Sequence, residues 1–276
     1  MITTVIFSKD RACQLEFLLR TLMHNKFGNI SQDFFILYKG STPDFDDGYN
    51  KLQEMTNNIA WIDEDDFQSD TIDIIKNAQD YICFFVDDNL MYRQCDYDAK
   101  YIVSVLTQVE GAGCFSLRLG LNTTIQDPYS NKKVNKMPDF TKIQVDGYSD
   151  SLAWQWTTLP LNNFSYPFSV DGHIYNTDLI LNSLDYEFDT PNALEGRFDA
   201  KNIPPVMFCG TRSCIINNPM NLVGSSQNKA GVWHGMTLEE LNTGFLDDKI
   251  LQPTKTYSVE DFVGCHQELE MKLVKI

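Results

Sequence analysis

Four apolar runs of strand length open this chain, Thr3–Phe7, Asp33–Tyr38, Ile59–Ile62 and Tyr81–Val86, and segments of helical period separate them. Cys13–Asn25 spaces Leu15, Leu18, Leu19 and Leu22 along one helical stripe. Gly48–Thr56, after the turn-rich Lys39–Gly48, and Phe67–Ala78 read as further helices. Parallel neighbours need a crossover, usually a helix, so this alternation predicts an α/β fold. The expected core is a mainly parallel sheet with helices on both faces. Its fourth strand ends abruptly in Asp87, Asp88 and Asn89.

Beyond that strand, Cys95–Val109 predicts a helix and Gly113–Leu119 a strand. From Leu121 to Phe168 short alternating runs mix with Asn, Asp, Lys, Pro and Trp, as hairpins and long loops do. Asn176–Leu184 returns to helical character, and Thr190-Pro191-Asn192 reads as a helix start before Ala193–Phe198. A Gly/Ser/Asn-rich loop spans Asn217–Val232, and Leu238–Leu246 and Val259–Leu269 read as closing helices. There is no internal repeat. The expectation is one domain over residues 1–276, with a first half to 120, a hairpin-and-loop half over 121–235, and C-terminal helices over 236–276.

The formal net charge of −16 opposes a nucleic-acid footprint, which needs clustered Lys and Arg. It leaves room for a nucleotide, whose phosphates need only a metal and one or two basic residues. No stretch approaches the roughly 18–20 apolar residues of a membrane span, so no integral membrane segment is expected. Seven scattered cysteines fit free, buried thiols in a reducing compartment, and the chain reads as cytoplasmic. Cys209 and Cys214 lack a second Cys/His pair at zinc-site spacing.

Unpaired charge is costly to bury, so acids at a strand's carboxyl end belong in the crevice where open α/β sheets bind ligands. Two hard oxygen donors there suit Mg²⁺ or Mn²⁺ held with substrate phosphates, although Asp and Asn also serve simply as turn residues. The segment Val5-Ile-Phe-Ser-Lys-Asp-Arg-Ala-Cys-Gln-Leu-Glu-Phe-Leu-Leu-Arg-Thr-Leu22 and the run Phe84-Phe-Val-Asp-Asp-Asn89 together resemble nucleotide-sugar glycosyltransferases of the GT-A fold. The likeness is greatest to the large inverting group that includes cellulose- and polysaccharide-type synthases. It covers residues 1–120 and, more weakly, 165–200.

This resemblance implies transfer of a hexose or deoxyhexose from a nucleotide-diphosphate sugar to a glycan or other hydroxyl acceptor, with Mn²⁺ or Mg²⁺ as cofactor. Ser8, Arg11, Asp63 and Asp88 would bind the donor, and Asp87, Asn89 and His234 the metal. Alternatively Asp88 is the ligand and Asp87 meets the ribose. The chain departs from the family where Tyr38-Lys-Gly-Ser41 replaces the usual acids after the second strand, and where Asn89 replaces the last acid of the Asp-x-Asp motif. His234, in Val232-Trp-His-Gly235, stands where it could complete the coordination. The neighbouring Gly224, Ser225, Ser226 and Gly231 would form a lid, with Lys229 near phosphate.

Inverting transfer also needs a carboxylate to take the acceptor's proton. The segment Asp189-Thr-Pro-Asn-Ala-Leu-Glu-Gly-Arg-Phe198 makes Glu195 the first candidate, and Asp171, in Tyr166-Pro-Phe-Ser-Val-Asp-Gly-His173, is its competitor. Trp154 and Trp156 serve either as a sugar platform or as core. Two other classes stay open. A sugar nucleotidyltransferase would want a Gly-rich phosphate loop, which Ser8-Lys-Asp-Arg-Ala-Cys13 is not. A non-catalytic carbohydrate- or nucleotide-binding protein with a decayed site would account for Asn89.

Overall fold

The computed structural model describes residues 1–145, 151–223 and 230–276. The expected lid residues Gly224, Ser225 and Ser226, together with Lys229, lie outside the described residues.

The first half builds as its pattern predicts: β1 (Ile2–Lys9), α1 (Ala12–His24), β2 (Asp33–Lys39), α2 (Pro43–Met55), β3 (Ala60–Asp63), α3 (Phe67–Asn77) and β4 (Tyr81–Val86). A short β5 (Asn89–Met91), α4 (Ala99–Gln108) and β6 (Ala112–Ser116) follow. Next come the small β7 (Ile125–Asp127) and β8 (Lys132–Lys133), β9 (Thr141–Ile143), β10 (Ser151–Gln155), β11 (His173–Asn176), α5 (Thr177–Leu181) and α6 (Pro191–Arg197). The chain ends with β12 (Val206–Cys209), β13 (Ile215–Asn217), α7 (Leu238–Leu246), β14 (Lys249–Pro253) and β15 (Met271–Lys275).

Nine strands form the central sheet, in the order β3-β2-β1-β4-β11-β6-β12-β10-β9. The β3-β2-β1-β4 half is wholly parallel, as the strand–helix alternation requires. Past β4 the sheet is mixed: β11 runs antiparallel to both β4 and β6, while β6 and β12 are parallel. Strand alternation splits the core in two. Ile2, Ile6, Cys83 and Phe85 pack with α1, α2, α4 and α7, whereas Val5, Phe7, Ile82 and Phe84 pack with α3, α5 and α6. Helices therefore cover both faces.

Local chemistry explains where the boundaries moved. The helix expected from Gly48 begins at Pro43, because Thr42 and proline make a helix start and Asp44 and Asp46 favour its positive end. Gly48 then lies inside α2, where an added Cβ would stand 3.2 Å from that of Ala12. The helix expected from Cys95 begins at Ala99, since the Asp98 carboxylate caps it by accepting from the Tyr101 N–H.

The closing segment needs a larger correction. Leu238–Leu246 is helical, with a Thr237/Glu240 capping box, but Val259–Leu269 is not a helix. Only Val259–Asp261 makes a single tight turn, and residues 236–276 end in an antiparallel β14–β15 hairpin. The backbone of 264–268 is claimed by the core instead. Asn217 donates to the Cys265 carbonyl, and Gln267 donates to the Asn217 carbonyl. Tertiary pairing overrides the helical spacing of Phe262, Cys265 and Leu269.

Candidate active site

The acid-ended strand stops at a tight turn. Asp87 and Asp88 form the turn, and Asn89 opens β5, which pairs with β13 in a register that sets Asn89 opposite Asn217. The Asn89 side-chain oxygen accepts from the Val86 N–H at 3.0 Å, closing the turn, and its NH₂ donates to Asp171 at 3.0 Å. The amide is thus committed to holding the turn.

Asp87 is committed as well. Arg11 Nη1 lies 2.8 Å from one oxygen, and the Lys9 N–H donates to the other at 3.1 Å. The remaining guanidinium donors reach Asn221, at 2.9 Å from Nε to its side-chain oxygen and 2.6 Å from Nη2 to its carbonyl. Burial opposes the charge on Arg11, but Asp87 and then Asp88 overcome it and keep the guanidinium protonated. This pair welds the β1 loop to the end of β4.

Asp88 is the acid left half-buried. Its carboxyl is pushed up to about 6 by burial and by repulsion from Asp171 and Asp87, against the pull of Arg11. Asn217 donates to one of its oxygens at 2.8 Å, and the same NH₂ reaches Asp171 at 2.8 Å.

Asp171 sits beyond these amides, clamped by Arg118 Nη1 at 2.8 Å. Burial would raise its carboxyl, but Arg118 and the donors Asn217 and Asn89 win and hold it below the usual carboxylate range. Arg118 also donates to His266 Nε2 at 3.0 Å. Burial first, and the Arg118 charge next, push that imidazole down to about 4, so it is neutral and free to accept. Gly172 permits the placement: its φ of +75° lies where only glycine is comfortable. There its N–H meets the Phe84 carbonyl and its carbonyl meets the Leu117 N–H, fixing Asp171 between β4 and the end of β6.

Glu195 approaches from the other face on α6, whose start is set by the Thr190 cap and Pro191. Its Oε2 accepts from the Val170 N–H at 2.7 Å, one residue before Asp171. Burial, followed by repulsion from Asp171, lifts its carboxyl to about 7. It lines a pocket of about 240 Å³ together with Arg118, His266, Tyr166, Gln126 and Asn163. A carboxyl tuned near neutrality at the wall of a pocket is suited to general base work. Asp171, already neutralised by Arg118, is not.

The expected site residues therefore separate. Asp87, Asp88, Asn89, Arg11, Asp171 and Glu195 share one connected network. Ser8 is buried, with its hydroxyl 2.7 Å from the Tyr49 hydroxyl. Asp63 is exposed at the end of β3, opposite Tyr38 in register. His234 is exposed, and Glu268 holds its backbone N–H at 2.9 Å. Among the described residues no three His, Cys, Asp or Glu side chains are grouped to bind a metal, and the Asp87 and Asn89 side chains are already engaged by Arg11, by the Val86 N–H and by Asp171. Trp154 is core, with its indole N–H donating to the Phe164 carbonyl at 2.8 Å, and the Trp156 indole N–H donates to the Pro204 carbonyl at 3.0 Å.

Sequence reasoning missed Arg118, Asn217 and His266. A lone arginine in the apolar stretch 113–119 was the available signal for the first; nothing in the spacing marks the other two.

No family model matches the chain. The curated bifunctional glycosyltransferase pgtA of Dictyostelium discoideum is 24% identical over 220 residues, covering 75% of this chain. The chain spans only 28% of that protein's length. Among solved structures, the mannosyltransferase of Pyrobaculum calidifontis, in complex with GDP-Man and Mn²⁺, is 9% identical with a TM-score of 0.41, covering 77% of this chain and 54% of that one. TarS 1–349 of S. aureus, in complex with UDP-GlcNAc, is 11% identical with a TM-score of 0.44, covering 86% and 62%. A cytidylyltransferase of Leptospira borgpetersenii is 14% identical with a TM-score of 0.34, covering 70% and 67%. By its acid-ended fourth strand and its sequence similarity to a curated enzyme, the chain resembles the glycosyltransferases of the GT-A fold.

Proposed function

We propose that this chain transfers a sugar from a nucleotide-diphosphate sugar to an acceptor hydroxyl with inversion, using Glu195 as the base. The observation that carries this reading is the Glu195 carboxyl, lifted to about 7 at the wall of a pocket it shares with Arg118 and His266 and one hydrogen bond from the segment that holds Asp171. In the step, the acceptor oxygen bonds to the sugar's anomeric carbon as the bond to phosphate breaks. The acceptor proton passes to Glu195, and the diphosphate leaves with the electron pair. The Val170 N–H fixes the carboxylate, and Arg118 holds Asp171 ionised so that it does not compete for the proton.

Asp88 fits a divalent cation better than the expected Asp87–Asn89–His234 set does. Three carboxyl groups crowd this turn; Arg11 matches Asp87 and Arg118 matches Asp171, so added positive charge relieves Asp88, the one without a guanidinium partner. A site with one protein carboxylate suits Mg²⁺ or Mn²⁺ bound largely through donor phosphates. Such a cation would neutralise the leaving diphosphate as a Lewis acid. Arg11 and Asp87 would shape the loop against which the donor lies. A cytoplasmic setting belongs to the proposal, supported by seven unpaired thiols.

The spent Asn89 amide favours a second reading, a nucleotide- or carbohydrate-binding protein without turnover. Calorimetry with UDP and GDP, with and without Mn²⁺, followed by a nucleotide-sugar panel scored for hydrolysis, separates the two. Metal-enhanced binding with hydrolysis of one donor is expected. Binding without any turnover would establish the second reading, and no metal-enhanced binding to either nucleotide would refute the first.

A further inference from the structure

We propose that Cys95 and Cys214 form a reversible disulfide, closed by exchange with a small-molecule disulfide such as oxidised glutathione. The proposal does not depend on glycosyl transfer. Strands β5 and β13 pair antiparallel with Met91 opposite Ile215, and the ladder continues one step as the Tyr92 N–H donates to the Cys214 carbonyl at 3.0 Å. Cys95 follows three residues later, and both thiols line one small cavity with Asp96, Tyr97, Leu117 and Arg212. The two thiols are near enough to shift each other's titration, and the Cys214 S–H donates to the Leu117 carbonyl at 3.4 Å.

The two thiols differ in the way an attacking and a resolving cysteine must. Cys95 is partly exposed, whereas Cys214 is 2% exposed and reachable only through its neighbour. Interaction with Cys214, helped by the Tyr97 backbone and Arg93, outweighs burial and holds the Cys95 thiol below its ordinary range. The same interaction, followed by burial, drives Cys214 well above it. The other five cysteines, at positions 13, 83, 114, 209 and 265, are at most 4% exposed, and burial raises every one of them. Reactivity follows thiolate character and access, so Cys95 is singled out.

The chemistry balances in two exchanges. The Cys95 thiolate attacks one glutathione sulfur, forming a mixed disulfide and releasing one glutathione thiolate. Cys214 then loses its proton to solvent and attacks the Cys95 sulfur, releasing the second. Two cysteine thiols are oxidised, and one glutathione disulfide is reduced to two thiols. The bond would tie the loop after β5 to β13, the strand whose Asn217 bridges Asp88 and Asp171.

Native full-length protein is incubated with oxidised glutathione and followed by intact mass and non-reducing peptide mapping. The expected result is loss of two hydrogens, a crosslinked peptide containing Cys95 and Cys214, and full reversal by dithiothreitol. Cys214→Ser should stop at a glutathione adduct on Cys95, and Cys95→Ser should react about tenfold more slowly or not at all. A stable adduct on wild-type Cys95, unchanged wild-type protein, or first reaction at another cysteine overturns the proposal. Should either variant fail to fold, the wild-type peptide map alone decides.

Discussion

Replacing Glu195 with Gln should separate catalysis from stability. The native carboxyl titrates near 7, against a usual 4.5, because it is largely buried and faces Asp171. The native state therefore holds its proton more tightly than the unfolded chain. Below about pH 4.5 both states are protonated and nothing is lost. As pH rises from 4.5 to 7 the unfolded chain ionises first and stability falls, and above 7 the whole penalty is present. A shift from 4.5 to about 7 corresponds to about 3 kcal/mol, and partial exposure of the carboxylate reduces this to about 2 kcal/mol.

The amide of Glu195→Gln can still accept from Val170 but carries no charge. The variant should gain about 2 kcal/mol over wild type at pH 8 and nothing at pH 4.5, read by urea denaturation at both pH values. Sugar transfer at pH 8 should fall about 10²-fold or more while nucleotide binding persists. Wild-type kcat/KM should drop about tenfold per pH unit below 7. Equal stability of the two proteins at pH 8 would refute the account of the carboxyl's environment. Near-normal transfer by the variant would remove Glu195 as the base.

Asp88→Asn relieves the crowding of carboxylates, so at pH 7.5 its melting temperature should match or exceed wild type, while the Mn²⁺ enhancement of UDP or GDP binding disappears in calorimetry. Asp87→Ala should behave in the opposite way. It leaves the buried Arg11 guanidinium without its partner and should cost about 3–5 kcal/mol in denaturant titrations, so lost activity would accompany lost stability. Gly172→Ala forces a φ of +75° on a residue with a Cβ and sets that Cβ 3.2 Å from the Phe85 ring. A loss of at least about 1–2 kcal/mol is expected by the same titration, and an unchanged midpoint would contradict the backbone assignment.

The amino-acid sequence by itself determined the parallel half of this protein. Short apolar runs separated by amphipathic helices leave few alternatives to β3-β2-β1-β4, and the starts of α2 and α4 moved where Pro43 and the Asp98 cap outranked periodicity. The acids' position at the carboxyl end of β4 follows from the same local pattern, as does Glu195 in the first turn and a half of a proline-started helix. Tertiary structure decided which polar groups remain free for chemistry. Asp87, Asp88 and Asn89 look interchangeable along the chain, yet Arg11 takes the first, Asp171 and the turn take the third, and only Asp88 stays partly open. The deciding partners are distant: Arg11 is 76 residues from Asp87, and Asn217 is 129 from Asp88. Local propensity sets backbone shape over a few residues. The protonation and availability of a buried side chain depend on charges and donors that only folding brings within hydrogen-bond reach.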